Sequence, residues 1–156
     1  MATVALDEIT NLGDELFSSM ASALENMFIT IKTAGNESGE EKCGENINGS
    51  IWIKTAFAMY SLELLVPEKL LTDIAADVVV PGTGSETVGS IIIDILLELA
   101  NTVSGSLMRN LEPQVGEFTL EIPEFEIGKS VNTKAFFKDK YITDSGFPIT
   151  VAMTKI

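Results

Sequence analysis

The chain has no histidine. That absence excludes a Ser-His-Asp triad, a Cys-His pair, an HExxH zinc site and a phosphohistidine relay. A single cysteine, Cys43, leaves no internal disulfide and no CxxC redox centre, and reads as an ordinary reduced thiol. Arg109 is the sole arginine, so a cluster of guanidinium groups around substrate phosphates cannot be assembled. Basic residues are scarce altogether: 10 Lys+Arg stand against 23 Asp+Glu, a formal net charge of -13. A nucleic-acid backbone and an anionic membrane surface would both be repelled, whereas a basic patch on a partner would be attracted. Chemistry is left to carboxylates, amides, hydroxyls, lysines and the backbone.

The first basic residue is Lys32, so the positive leading region of a signal peptide is missing. The most apolar run, 88–100, contains Asp94 and Glu98, and two carboxylates inside a bilayer span would be prohibitive. The expectation is a cytoplasmic protein, in which the sequons at Asn36 and Asn48 are chance matches. With 156 residues, 46% of them apolar, the chain suits one globular domain over 1–156 that buries a core without staples. No internal repeat divides it.

What is present alternates between helical and strand periods. Ile9, Leu12, Leu16, Met20, Leu24 and Met27 step by three or four and predict an amphipathic helix over 5–27, with Asp7, Glu8, Asp14 and Glu15 near its start. Residues 28–33 alternate like a strand, and 36–46 read as a polar loop. Strands are expected at 47–57 and 60–66, with a turn at 56–59. Pro67 then suits the first turn of a helix over 67–79, packing through Leu70, Leu71, Ile74 and Ala75. After a break at Pro81-Gly82-Thr83-Gly84, where Thr83 and Glu86 have capping-box spacing, a long helix is expected over 85–110. Pro113 should end it. Further strands are expected at 118–122, 134–142 and 149–153.

The long helix carries the one unusual pattern. Ser90, Asp94, Glu98, Asn101 and Gly105 are spaced by four, four, three and four, which places them on one stripe. Apolar residues flank it, among them Ile91, Ile95, Leu96, Leu99, Val103 and Leu107. A buried helix must bring such a stripe to the surface, since unpaired buried carboxylates cost several kcal/mol. Periodicity alone also fits a plain solvated face. Against that, the stripe has Asp, Glu and Asn with no lysine, and ends in a glycine that would let another surface approach. A carboxamide near a carboxylate at i,i+3 can hold a water by two hydrogen bonds.

The run Asp94-Ile95-Leu96-Leu97-Glu98-Leu99-Ala100-Asn101, with Gly105 after it and Pro123 downstream, resembles the signature of the CheC/CheX/FliY phosphatases of bacterial chemotaxis. The order of elements along most of the chain is similar to the CheX members. Glu8-Ile9-Thr10-Asn11 also spells Glu-x-x-Asn, but Val4 stands where Asp or Ser belongs, so it reads as a decoy, and one motif instead of two points to CheX over CheC. The resemblance implies an α+β fold, a mainly antiparallel sheet with long helices packed on one side, assembled as a homodimer. It implies hydrolysis of the aspartyl phosphate on a CheY-like response regulator, in chemotaxis or another two-component pathway, with Mg²⁺ held by the partner and no cofactor or metal of the chain's own. Asn101 would orient the attacking water, Glu98 would pair with a lysine of the partner, and Asp94 and Gly105 would support the site or touch the partner. The alternative is a non-enzymatic module of the same fold that docks a regulator or a flagellar switch component.

Other patterns are weaker. Gly82-Thr83-Gly84 lacks phosphate-loop spacing, and Glu40, Glu41 and Glu45 lack the alternation of a calcium loop. Phe136, Phe137 and Tyr141 read as core or interface, and Glu117, Glu121, Glu124 and Glu126 as a solvated strand face.

Overall fold

A computed structural model describes residues 3–35, 45–78 and 85–156. Cys43, the sequon at 36–38, Glu40, Glu41 and the break at 81–84 with its capping box lie outside the described residues. The expected hairpin forms as β2 (Asn46–Thr55) and β3 (Met59–Pro67), paired antiparallel along their length. Thr55 closes the turn: its Oγ1 accepts from the Phe57 and Ala58 amides at 3.2 and 3.3 Å and donates to the Ala58 carbonyl at 3.1 Å. Around this pair the sheet runs β1-β6-β7-β3-β2-β4, with β1 (Ile31–Thr33), β4 (Phe118–Leu120), β6 (Phe137–Thr143) and β7 (Pro148–Lys155), and every pairing is antiparallel. β5 (Glu124–Ile127) also pairs β2, so β4 and β5 share its outer edge. The strand expected at 118–122 is shortened to Phe118–Leu120, and β5 is an additional strand beyond it. Pro123 lacks an amide for the ladder, and pairing resumes only at Glu124.

Helices α1 (Leu12–Glu25), α2 (Glu68–Val78) and α3 (Ser85–Val115) lie on one side of the sheet, as the α+β reading requires. Leu70, Leu71 and Ala75 of α2 are buried as expected, and Pro67 ends β3 instead of opening the helix. α3 is the central helix, with Leu96, Leu99, Val103, Leu107 and Leu111 fully or almost fully buried. Its stretch Gly89–Val115 is long and apolar enough to cross a membrane by composition alone; in the fold it packs against α1, α2 and the sheet. The glycine at 49 brings β2 and α3 close, because a Cβ there would stand 2.8 Å from Cγ of Leu96.

Three further expectations are corrected. The first helix does not run over 5–27: a 3₁₀ turn at Leu6–Glu8 precedes α1, and Ile9 to Asn11 separate them. Pro113 does not end α3, which continues to Val115. In the last turn its ring forfeits only the bond to the Arg109 carbonyl, buried Leu111 and Val115 hold the turn, and Gly116 (φ 82°) closes it through its amide to the Glu112 carbonyl at 2.8 Å. The strand expected at 28–33 shrinks to Ile31–Thr33, because Phe28 and Ile29 close α1, their amides bonding the Glu25 and Leu24 carbonyls at 2.9 and 3.0 Å. This closing turn puts Phe28 at φ 61°, with its ring 95% exposed. A left-handed non-glycine residue costs about 1–2 kcal/mol. Phe28→Gly loses no packing, so it should raise stability by about 0.5–1 kcal/mol after the entropic cost of glycine; a denaturant midpoint at or below the parent's would refute this.

On the sheet face away from the helices, the connection 128–136 crosses over β3. Glu63, only 4% exposed, accepts Asn48 Nδ2 at 2.9 Å and the Asn132 amide at 3.2 Å on each oxygen. Asn48 is thus a buried structural residue, in keeping with a chance sequon.

Two buried tyrosines contrast. Tyr60 donates to Asp7 Oδ1 at 2.8 Å and accepts the Leu6 amide at 3.2 Å, tying the 3₁₀ turn to the sheet. Tyr141 Oη has no hydrogen-bond partner among the described residues. Burial, and then the bond to Asp7, push the Tyr60 hydroxyl up to about 12. The same bond holds Asp7 below its usual value, helped by Lys155 at 3.7 Å. A raised tyrosine stabilises the fold fully below its unfolded value near 10, and that contribution disappears as pH rises through about 12. Tyr60→Phe should cost about 1–2 kcal/mol at neutral pH and show less of the alkaline loss. Tyr141→Phe should be neutral or slightly stabilising. Equal losses for the two variants in urea titrations would overturn this assignment.

Candidate functional site

α3 places the polar stripe where the fold needs no packing. Ser90, Asp94, Glu98 and Asn101 are all exposed, while Leu96, Leu99 and Ala100 beside them are buried. The helical period produces this: successive steps of three and four residues advance the stripe along one face while the neighbours turn inward. The site is an open depression of about 480 Å³ between α3 and the broken outer edge of the sheet. Asp94, Leu97, Glu98 and Asn101 line it from the helix; Leu120, Glu121, Ile122 and Pro123 line it from the strand side.

Each polar group has a distinct setting. Thr102 Oγ1 donates to Glu98 Oε1 at 3.3 Å across one helical turn, which restrains the carboxylate yet leaves it exposed. The Asn101 carboxamide has no hydrogen-bond partner among the described residues, so its donors and its acceptor are available to a water or a ligand. Asp94 likewise has no hydrogen-bond or ion-pair partner among the described residues. Below Asn101, Ser104 Oγ is buried and bonds the Ala100 and Asn101 carbonyls at 2.7 and 3.2 Å, which satisfies it within the helix. The arrangement offers two carboxylates and a carboxamide in line, suited to meeting an ammonium group and orienting one water.

The sequence reading meets the structure unevenly. Asp94, Glu98 and Asn101 come together, and Pro123, distant in sequence, joins them on the rim. Gly105 departs from expectation. It is buried, and what approaches it is the chain's own Arg109: a Cβ at 105 would stand 3.2 Å from Arg109 Nη1. Glu8 and Asn11 are not on one helix face, since Glu8 ends the 3₁₀ turn and Asn11 immediately precedes α1. Phe136, Phe137 and Tyr141 serve packing: Tyr141 is fully buried and meets Phe17 edge-on, and Phe136 meets Tyr60 edge-on. Ile122 was the residue the sequence hid. Its alternation with Phe118 and Leu120 predicts burial, yet it is 85% exposed beside the stripe, because β4 stops at Leu120.

No family model matches the sequence, and no curated protein matches it. Solved structures do. The chemotaxis protein CheX from Vibrio vulnificus is 16% identical, with 94% of this chain and 100% of that chain covered at a TM-score of 0.68. CheX from Desulfovibrio desulfuricans is 13% identical, covering 94% and 99% at 0.70. A CheX-CheY-BeF3-Mg²⁺ complex from Borrelia burgdorferi is 13% identical, covering 92% and 97% at 0.69. The helix stripe lies on the central helix of a sheet-and-helix arrangement shared over nearly the whole chain, and the fold is that of the CheX members of the CheC/CheX/FliY group.

Proposed function

We propose that this chain is a phosphatase for the aspartyl phosphate of a CheY-like receiver domain. The observation that carries this reading is the convergence of Asp94, Glu98, Asn101 and Pro123 on one open depression, with the Asn101 carboxamide exposed and without a hydrogen-bond partner among the described residues. An acyl phosphate is already reactive and its transition state is loose, so positioning one in-line water does most of the work. A carboxamide suits that task because it can donate and accept at once, whereas a carboxylate would repel the phosphoryl oxygens. Glu98, restrained by Thr102, is placed to take a basic group of the partner and fix the helix in register. Asp94 borders the same depression and supports the contact. The complex of a CheX with CheY, BeF3 and Mg²⁺ supports a receiver as the partner. In this reading the metal belongs to the receiver, the protein works in the cytoplasm, and it assembles as a homodimer.

The test is direct. A CheY-type receiver is phosphorylated with acetyl phosphate in Mg²⁺, and its dephosphorylation is followed with and without the protein. Acceleration in catalytic amounts supports the phosphatase. Binding to the phosphorylated receiver without acceleration would replace it by a docking module, and sedimentation of the protein alone checks the dimer.

A further inference from the structure

Arg109 is unusual in both charge and posture. It is the sole arginine of a chain with net charge -13, it is exposed, and among the described residues it has no ion-pair or hydrogen-bond partner. Glu112 lies one turn further along the same helix, yet no ion pair joins the two. The side chain runs back toward the helix N-terminus, the direction helical side chains favour, and lays its guanidinium across Gly105. A Cβ at 105 would stand 3.2 Å from Nη1 and 3.9 Å from Cζ and Nη2, so glycine leaves the room this posture uses. Four residues at 1.5 Å each put the guanidinium about 6 Å along the axis from Asn101. Along the helix the exposed groups therefore read Asp94, Glu98, Asn101 and then the guanidinium: two anions, an amide and a cation.

We propose that Arg109 completes a bipolar docking strip, in which Glu98 takes a basic group of the phosphorylated receiver and Arg109 takes a carboxylate on the receiver surface. The inference rests on the phosphatase reading above. The guanidinium stands about one helical turn beyond Asn101, so a receiver that places its phosphoryl group at the carboxamide presents a different part of its surface to Arg109. Its planar fork matches a carboxylate with two parallel bonds, and its five donors are uncommitted. Opposite charges at the two ends of the strip also set direction: a receiver docked the other way round would face like charges at both.

The experiment compares the parent with R109K, R109A and R109E. KM and kcat are measured on a CheY-type receiver phosphorylated with acetyl phosphate in Mg²⁺, at low ionic strength and at about 150 mM salt. Kd is measured for the same receiver loaded with beryllofluoride, and thermal melts confirm folding. R109A should raise KM and Kd about three- to tenfold at low salt, R109E should raise them more, and R109K should recover part of the loss. The kcat at saturating receiver should stay within about twofold of the parent, since the contact is made equally before and during the reaction. R109E with the parent's KM and Kd overturns the strip, and so does a loss of kcat at unchanged Kd, which would put the guanidinium on the phosphoryl group. A parent that neither binds nor hydrolyses overturns the phosphatase reading and the strip together; a parent that does both while R109E matches it overturns the strip alone.

Discussion

Replacing Asn101 by Ala should reduce dephosphorylation of a phosphorylated receiver by about 100-fold or more, with the protein still folded. The side chain is exposed and makes no hydrogen bond among the described residues, so its loss should change stability by less than about 0.5 kcal/mol. The effect should fall on kcat, because the amide's work is to hold a water in line and that interaction matters most in the transition state. Asn11→Ala supplies the control. Asn11 precedes α1 and Glu8 belongs to a separate turn, so the pair presents no common face, and activity should stay within about threefold of the parent. Single-turnover rates for the two variants decide the matter. Parent-like turnover by Asn101→Ala removes the mechanism, and an equal loss from Asn11→Ala would show a second working site.

Glu98→Lys should be the most damaging change at the recognition step. The parent carboxylate is exposed, held by Thr102 at 3.3 Å and set in a chain of net charge -13, so a basic group on the receiver is drawn to it. Reversal sets two like charges together in an interface that loses water, at a cost of roughly 2–5 kcal/mol. Glu98→Ala should weaken binding and lower turnover at low receiver concentration, and Glu98→Gln should fall between Glu98→Ala and the parent, keeping the shape and one acceptor. Salt should slow association of the parent more than of Glu98→Ala. Association rates by stopped flow at two ionic strengths test this. Three variants that bind and turn over like the parent would make Glu98 a solvated helix residue and nothing more.

The helical half of the depression was legible in the sequence because its information is local. A period of 3.6 residues places Asp94, Glu98 and Asn101 together whatever the rest of the chain does. The β2–β3 hairpin was legible for the same reason, since two alternating runs separated by a short break specify it. The strand half of the site was not. Leu120, Glu121 and Ile122 continue the alternation that begins at Phe118, and only the pairing of two separate strands to one edge of β2 shows that the ladder stops before Pro123. The start of α1 is hidden in the sequence because Leu6 and Ile9 continue the apolar stripe, although the 3₁₀ turn is tied by Tyr60, more than fifty residues away in sequence. The end of α3 is hidden too, because a proline in the last turn forfeits one hydrogen bond, a small loss beside the burial of Leu111 and Val115. Nothing in the sequence announced that Arg109 would lie over Gly105, since that is a matter of which rotamer a single missing methyl group permits.

The glycine in β2 acts as a gauge for the whole opening. Position 49 is buried and touches no ligand surface, yet it fixes how low α3 rides over the sheet at Leu96, two residues before Glu98. The smallest possible spacer therefore sets the clearance between the helix and the sheet's outer rail. A methyl group there would press on the Leu96 side chain and, through it, bear on the width of the opening without replacing any of its lining groups. Tolerances at the mouth are thus machined in the floor, and variation at this one hidden position could retune which surfaces fit without altering any residue they would meet.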